Sequence, residues 1–159
     1  MDSMAKPCIG HTHLKVADLE RAIAFWTDVM GMDLMVRYGD QAAFLSWGGY
    51  HHHIGLNTWH SAGGTAAPKH HTGLFHVALL YPTREALVTA ANRVAKAGIE
   101  IYGHADHGVS VALYFDDPDG NGVEIYWDKP EEDWPRQEDG SLIMVNERFD
   151  LAGFLAGGG

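Results

Sequence analysis

The sequence predicts an α+β fold built from two β-α-β-β-β modules, and three observations carry this prediction. The same order of strand and helix patterns occurs twice along the 159 residues. Each opening strand pattern holds a histidine near its start, His11 in the first and His76 in the second. The two helical patterns end at Gly31 and Gly98, and this spacing agrees with that of the histidines to within two residues. We therefore expect an internal duplication whose modules pair into one curved eight-stranded mixed sheet.

The first module is predicted to cover residues 8–59. A strand pattern at 8–16 precedes a helix that begins after Asp18, a good N-cap residue, and ends at Gly31. Apolar residues recur at helical spacing between these two positions. Three more strands follow, separated by short glycine-containing turns, at 33–38 (DLMVRY), 42–47 (AAFLSW) and 52–59 (HHIGLNTW).

The second module is predicted to cover residues 74–128, after a linker at 60–73 that is rich in Gly, Ala and Pro. Its elements are a strand at 74–81, a helix capped by Thr83 and ended by Gly98, and strands at 99–104, 109–115 and 122–128. The rest of the chain, 129–159, is a tail in which FDLAGFLA is expected to form a short docked helix. We expect one domain, 1–159, made of these parts.

Charge and composition exclude several classes of partner. The formal net charge is −10 and no basic stripe offsets it, which argues against nucleic acid. No run of 18 apolar residues is present, and the first residues lack the pattern of a signal peptide, so a membrane is not expected. The single cysteine, Cys8, excludes an internal disulfide framework. These features favour a cytoplasmic protein.

Histidines and one glutamate mark a candidate metal site. The chain holds eleven histidines, and histidine is the commonest metal ligand in proteins. His11, the run His51–His53 and His76 lie on the first and last strands of the modules, which would line a shared concavity. Glu124 is the lone acid in an apolar strand, where a carboxylate is costly to bury unless it is paired or bound to metal. These residues together predict a metal site enclosed by the sheet.

Two segments resemble a known family, the vicinal oxygen chelate superfamily of glyoxalase I, fosfomycin- and bleomycin-resistance proteins and type I extradiol ring-cleaving dioxygenases. They are 11–32 (HTHLKVADLERAIAFWTDVMGM) and 116–127 (DDPDGNGVEIYW). The resemblance covers roughly 10–128. Within the superfamily, the segment GGYHHHIGLNTW is most similar to single-domain extradiol dioxygenases of the catechol 2,3-type.

The dioxygenase resemblance implies an Fe(II) site with His11, His76 and Glu124 as ligands. Two histidines and one carboxylate form a facial triad that leaves positions open on the metal. The open positions would accept a small aromatic diol and O2, the expected partners of the protein. Resemblance also implies a dimer or a higher homo-oligomer.

Three further residues receive roles from the same resemblance. His52 would be the acid–base residue, and Tyr114 and His104 would hydrogen-bond the substrate oxygens. Two alternatives stay open. A slip of one residue in a strand exchanges the two faces, so His53 is the alternative to His52. His107 is the alternative to His104.

Two other function classes are possible on this scaffold. A glyoxalase-like isomerase or lyase would bind Ni or Zn with four side chains, here His11, His52, His76 and Glu124. A non-enzymatic binding protein, as in bleomycin resistance, would need no metal. A ring-opened product formed from catechol and O2 would separate the dioxygenase from both.

Overall fold

Each half of the chain contains the predicted β-α-β-β-β order of elements. The computed structural model describes residues 7–157. The first residues, on which the signal-peptide expectation depends, and the last two residues of the predicted tail lie outside this range. One compact unit ends at Thr65 and the other begins at Ala66, inside the predicted linker. The α+β class and the repeated element order are confirmed, with the eight strands arranged as two four-stranded mixed sheets.

The first unit forms a sheet with strand order β1-β4-β3-β2, in which β1 runs parallel to β4. Its elements are β1 (Thr12–Lys15), α1 (Leu19–Ala24), β2 (Asp33–Tyr38), β3 (Ala42–Ser46) and β4 (Ile54–Asn57). The helix continues past α1 as a π-helical turn, Phe25–Val29. Asp18 caps α1, since its side chain accepts a hydrogen bond of 3.0 Å from the Arg21 N–H. Gly31 ends the helical segment with a φ of 73°.

The second unit repeats this arrangement with strand order β5-β8-β7-β6, and β5 runs parallel to β8. Its elements are β5 (Val77–Leu80), α2 (Arg84–Lys96), β6 (Gly103–Asp106), β7 (Ser110–Asp116), β8 (Gly122–Asp128) and α3 (Leu151–Leu155). Thr83 caps α2 by accepting a 3.1 Å hydrogen bond from the Ala86 N–H. Gly98 ends α2 with a φ of 75°.

Several strands have bounds that differ from the prediction, and the largest differences are at their starts. The sixth strand was predicted to begin at Ile99 but begins at Gly103. The Ile99 N–H is hydrogen-bonded to the Val94 carbonyl, so this residue still completes the end of α2. β1, β4 and β5 also begin later than predicted, which places the candidate histidines just before these strands rather than within them.

The chain after β8 packs back on the second unit. The Asp106 and Glu147 backbones exchange two hydrogen bonds, of 2.8 and 3.0 Å, at the end of β6. Helix α3 docks on α2 through the buried Phe154. The Arg84 guanidinium lies 4.7 Å from the Phe154 ring centroid, and the Asn92 amide donates to the Leu155 carbonyl at 2.8 Å. Among the residues the structure describes, no helix has the length and apolar character needed to cross a membrane.

An ion pair holds the turn after β6 to the end of β8. The Lys129 ammonium contacts both carboxylate oxygens of Asp106, at 2.8 and 2.7 Å. Asp106 Oδ1 also accepts the Gly108 N–H at 2.8 Å. Burial alone would raise the pKa of Asp106, but the Lys129 and Gly108 hydrogen bonds outweigh burial and the pKa is lowered.

Replacing Lys129 by methionine is expected to lower the free energy of unfolding by about 1 kcal/mol at neutral pH. The lowered pKa means that folded Asp106 holds its charge at lower pH than the unfolded chain does. The stabilisation is therefore complete at a pH above the pKa of Asp106 in the unfolded chain, about 3.9. It is lost as the pH falls through the lower pKa of Asp106 in the folded protein. Urea unfolding of both proteins from neutral pH into acid measures this difference.

Arg136→Met is the matched control, since Arg136 pairs with Glu131 at 3.6 Å on the exposed surface. Its free energy of unfolding should follow that of the wild type at each pH. A Lys129→Met difference that persists unchanged in acid would show that the lost contact is not the pair with Asp106.

Candidate metal centre

His76 and Glu124 contact each other in the second unit. The parallel pairing of β5 with β8 sets Ala78 opposite Glu124, and His76 stands just before β5. His76 Nε2 lies 2.8 Å from Glu124 Oε2. Gly122 permits this approach, because a Cβ at that position would collide with the Phe75 carbonyl oxygen and lie 3.2 Å from His76 Cβ. Two of the three predicted metal ligands are thus brought together.

The environment of this pair fits a divalent cation. Glu124 is only 9% exposed, and a carboxylate buried to that extent is stabilised by pairing, by hydrogen bonds or by a bound metal. His76 Nδ1 is buried and makes no hydrogen bond within residues 7–157. An imidazole nitrogen beside a carboxylate oxygen is a donor set that Fe(II), Mn(II), Ni(II) or Zn(II) accepts. Across the same described range, no three His, Cys, Asp or Glu side chains form a metal-sized cluster, so a metal held by this pair would need further donors.

Tyr114 lies on the same face of the sheet as Glu124. The two residues are direct partners across β7 and β8, and the Tyr114 hydroxyl is 3.2 Å from Glu124 Oε1. Burial raises the pKa of Tyr114 to about 12, with a further contribution from the Glu124 charge. Tyr114 therefore stays a neutral phenol near pH 7, able to donate one hydrogen bond beside the carboxylate.

The structure does not bring His104 to this cluster. In β6, His104 pairs with Leu113 of β7, so its side chain emerges on the opposite face from Tyr114. There His104 Nε2 donates a 2.9 Å hydrogen bond to the Phe149 carbonyl, and burial lowers the pKa of His104. The alternative residue, His107, follows the strand and turns back, with its Nε2 2.8 Å from the Tyr114 hydroxyl.

Three histidines of the first unit, His11, His51 and His52, contact one another. The His11 and His52 rings contact each other in a tilted arrangement with centroids 4.3 Å apart, and His52 makes an edge contact with Phe44 at 5.0 Å. His51 Nδ1 lies 2.7 Å from His52 Nδ1. Burial lowers the pKa of His52, and the neighbouring histidines lower it further, His11 first among them. His52 is therefore a neutral imidazole near pH 7, able to accept a proton.

His53 has a different environment from His52. Its Nδ1 is 2.8 Å from the Ser46 hydroxyl and 3.4 Å from the Trp47 backbone nitrogen. These contacts attach His53 to the end of β3. The adjacent histidines do not alternate as in a strand, because β4 begins only at Ile54.

The internal repeat identifies a position that sequence reasoning missed. The β1–β4 register pairs His13 with Gly55, as the β5–β8 register pairs Ala78 with Glu124. Gly55 is therefore the first-unit counterpart of Glu124. The His13 ring lies over it, and a Cβ on Gly55 would be 2.9 Å from His13 Cγ. His13 follows His11 by two residues, and side chains at this spacing lie on the same face of a strand. This spacing is the signal in the sequence that could have identified His13.

Comparison with known proteins finds a family model and several relatives that match this chain. The family model described as Glyoxalase/Bleomycin resistance protein/Dioxygenase superfamily matches residues 8–125. A catechol-2,3-dioxygenase from Bacillus subtilis is 36% identical over 148 residues, covering 92% of this chain and 50% of that protein. The chain thus spans about half the length of this relative. A lactoylglutathione lyase from Haemophilus influenzae is 32% identical over 133 residues, covering 76% of this chain and 93% of that protein.

Solved structures share the fold. A glyoxalase/dioxygenase from Nostoc punctiforme superposes with a TM-score of 0.65 at 19% identity, covering 82% of this chain and 99% of the other. At this level of identity the likeness concerns the fold alone. The expected superfamily is confirmed, and its named members include both dioxygenases and lyases.

Proposed function

We propose that this chain, which belongs to the glyoxalase/bleomycin resistance protein/dioxygenase superfamily, is a metal-dependent extradiol dioxygenase acting on a catechol-type diol. In this proposal His76, Glu124 and His11 hold Fe(II). The substrates are the diol and O2, and both oxygen atoms enter the ring-opened product. The similarity to a catechol-2,3-dioxygenase over 92% of this chain supports the diol as substrate class.

The observation that carries the proposal is the His76–Glu124 pair with Tyr114 beside it. A two-nitrogen, one-carboxylate ligand set leaves metal positions open, as a reaction of two substrates requires. When bound, the metal supplies a centre at which both diol oxygens and O2 are held next to each other. The Tyr114 hydroxyl, 3.2 Å from Glu124 Oε1, would hydrogen-bond a diol oxygen held beside that carboxylate.

His52 is the residue we assign to proton transfer. We assign the ring hydrogen of His52 to Nδ1, which donates to His51 Nδ1 at 2.7 Å, so that a bare Nε2 takes the proton from a diol hydroxyl. The lowered pKa of His52 keeps this nitrogen unprotonated before substrate binds. Phe44, 5.0 Å from His52, offers an aromatic edge to a ring substrate.

Gly55 favours the dioxygenase over the lyase alternative. A four-ligand isomerase or lyase site needs a fourth donor from the first module. The first-unit counterpart of Glu124 is Gly55, which has no side chain to donate. His52 remains the possible fourth ligand, so the lyase reaction is the second candidate, supported by the similarity to a lactoylglutathione lyase.

Anaerobic reconstitution with Fe(II), followed by catechol and air, tests the proposal. We expect a yellow ring-opened product with one O2 consumed per product molecule, and loss of both signals in His76→Ala. The same preparation loaded with Ni(II) or Zn(II) is assayed on the hemithioacetal of methylglyoxal and glutathione. If the hemithioacetal is turned over and no oxygen is consumed with catechol or 2,3-dihydroxybiphenyl, the lyase reaction would replace the dioxygenase reaction as the proposed function.

A further inference from the structure

We propose that the Val145 carbonyl, carried by residues 143–147, here called the C-terminal strap, fixes the tautomer of His107. The strap makes His107 a positioning residue for Tyr114. This inference extends the proposed function, because it assigns Tyr114 a defined direction of hydrogen bonding at the diol site. All the residues that carry it lie in the second unit.

The strap runs beside the end of β6 and is held there by backbone hydrogen bonds. Asp106 and Glu147 exchange two of them, at 2.8 and 3.0 Å, and the Val145 N–H donates to the His107 carbonyl at 3.1 Å. The Ile143 N–H donates to the Pro135 carbonyl at 2.8 Å. Val145 is thereby placed directly against His107.

The second contact between these residues determines where the imidazole proton resides. His107 Nδ1 lies 2.9 Å from the Val145 carbonyl oxygen. A carbonyl oxygen only accepts hydrogen bonds, so Nδ1 must carry the hydrogen. In neutral His107, Nε2 then has a lone pair and no hydrogen. Without the strap, neither ring nitrogen would have a partner that selects this tautomer.

The tautomer decides what Tyr114 does with its single hydrogen. The Tyr114 oxygen lies 2.8 Å from His107 Nε2 and 3.2 Å from Glu124 Oε1. With Nε2 bare, the phenol donates to His107 through the shorter contact. The lone pairs of the phenol oxygen then remain to accept a hydrogen bond from a diol hydroxyl. The opposite tautomer would reverse this direction and turn Tyr114 into a donor to the substrate.

The first measurement is ¹⁵N NMR of the full chain labelled at histidine, without metal or substrate, at a pH where an ordinary histidine is neutral. The His107 signals are identified by their absence in His107→Asn. We expect a protonated Nδ1 and a bare Nε2. A protonated Nε2 with a bare Nδ1 would overturn the proposal. Because this measurement needs no reaction, its outcome is independent of whether the protein cleaves diols.

The second measurement displaces the strap without changing His107. Glu147→Pro removes the N–H that donates to Asp106, whereas Glu147→Ala keeps both backbone bonds and is the matched control. In Glu147→Pro we expect His107 to show a mixture of tautomers and kcat to fall about tenfold or more with little change in KM. Glu147→Ala should match the wild type in the tautomer of His107 and in kcat.

An unchanged His107 tautomer in folded Glu147→Pro would contradict the role of the strap. So would equal losses of kcat in the proline and alanine variants. If Glu147→Pro does not fold, the wild-type tautomer still decides the proposal. If neither folded protein turns over catechol, the tautomer result stands and the proposed reaction fails separately.

Discussion

Glu124→Gln is expected to abolish metal binding and ring cleavage while leaving the fold intact. Glutamine has the size of glutamate, but it lacks the charge that a divalent cation requires. Losing a residue that only hydrogen-bonds a metal ligand weakens metal binding by up to about a hundredfold. Loss of Glu124, a direct ligand in the proposal, should weaken it by more. Metal titration by calorimetry and single-turnover assays with catechol measure the two losses.

Thermal unfolding provides a readout of Glu124 that does not involve activity. A ligand that binds only the folded state raises Tm, so added Mn(II) or Fe(II) should stabilise the wild type. Glu124→Gln should show no such increase, and its metal-free Tm should equal or exceed that of the wild type, because a buried carboxylate has been removed. Glu147→Gln changes an exposed glutamate of the same unit and is the control. A metal-dependent Tm in Glu124→Gln would remove Glu124 from the ligand set.

His52→Phe is expected to lower kcat by about a hundredfold to ten-thousandfold, with the metal retained. Phenylalanine fills the volume beside His11 and Phe44 but cannot accept a proton from the diol. Metal content and steady-state oxygen uptake separate this outcome from loss of a ligand. A His52→Phe protein that loses its metal would instead identify His52 as a fourth ligand and favour the lyase reaction.

His53→Phe distinguishes the two neighbouring histidines. Since His53 contacts Ser46 at the end of β3, its loss should cost about 1 kcal/mol of stability. Its effect on kcat should be much smaller than that of His52→Phe. A large loss of kcat in His53→Phe, with His52→Phe active, would exchange the assignments of the two residues.

The repeated element order was predictable because its signals are local. Asp18 and Thr83 cap their helices as their residue types indicate, and Gly31 and Gly98 adopt the positive φ that ends each helix. β2 and β8 have the predicted bounds, Asp33–Tyr38 and Gly122–Asp128. Capping, helix termination and the two-residue period of strands depend on neighbouring residues alone. They can therefore be predicted without knowledge of contacts between distant parts of the chain.

The meeting of His76 with Glu124 was also indicated by the sequence. The repeat and the resemblance together predicted both residues, and the parallel pairing of β5 with β8 brings them to 2.8 Å. The roles of His11, His52 and Tyr114 remain proposals that the variants above test. Their residue types and positions were apparent from the chain before any distance was known.

Tertiary structure decided what the sequence left open between neighbouring residues. The sequence by itself determined the fold class, the duplication and the candidate metal ligands, because each rests on local pattern or residue type. It could not choose between His104 and His107, since that choice depends on the face from which His104 emerges and on the turn after β6. It also could not reveal the Val145 contact, because a backbone carbonyl carries no residue-specific signal. That contact arises only when a segment nearly forty residues away along the chain, residues 143–147, folds back beside His107.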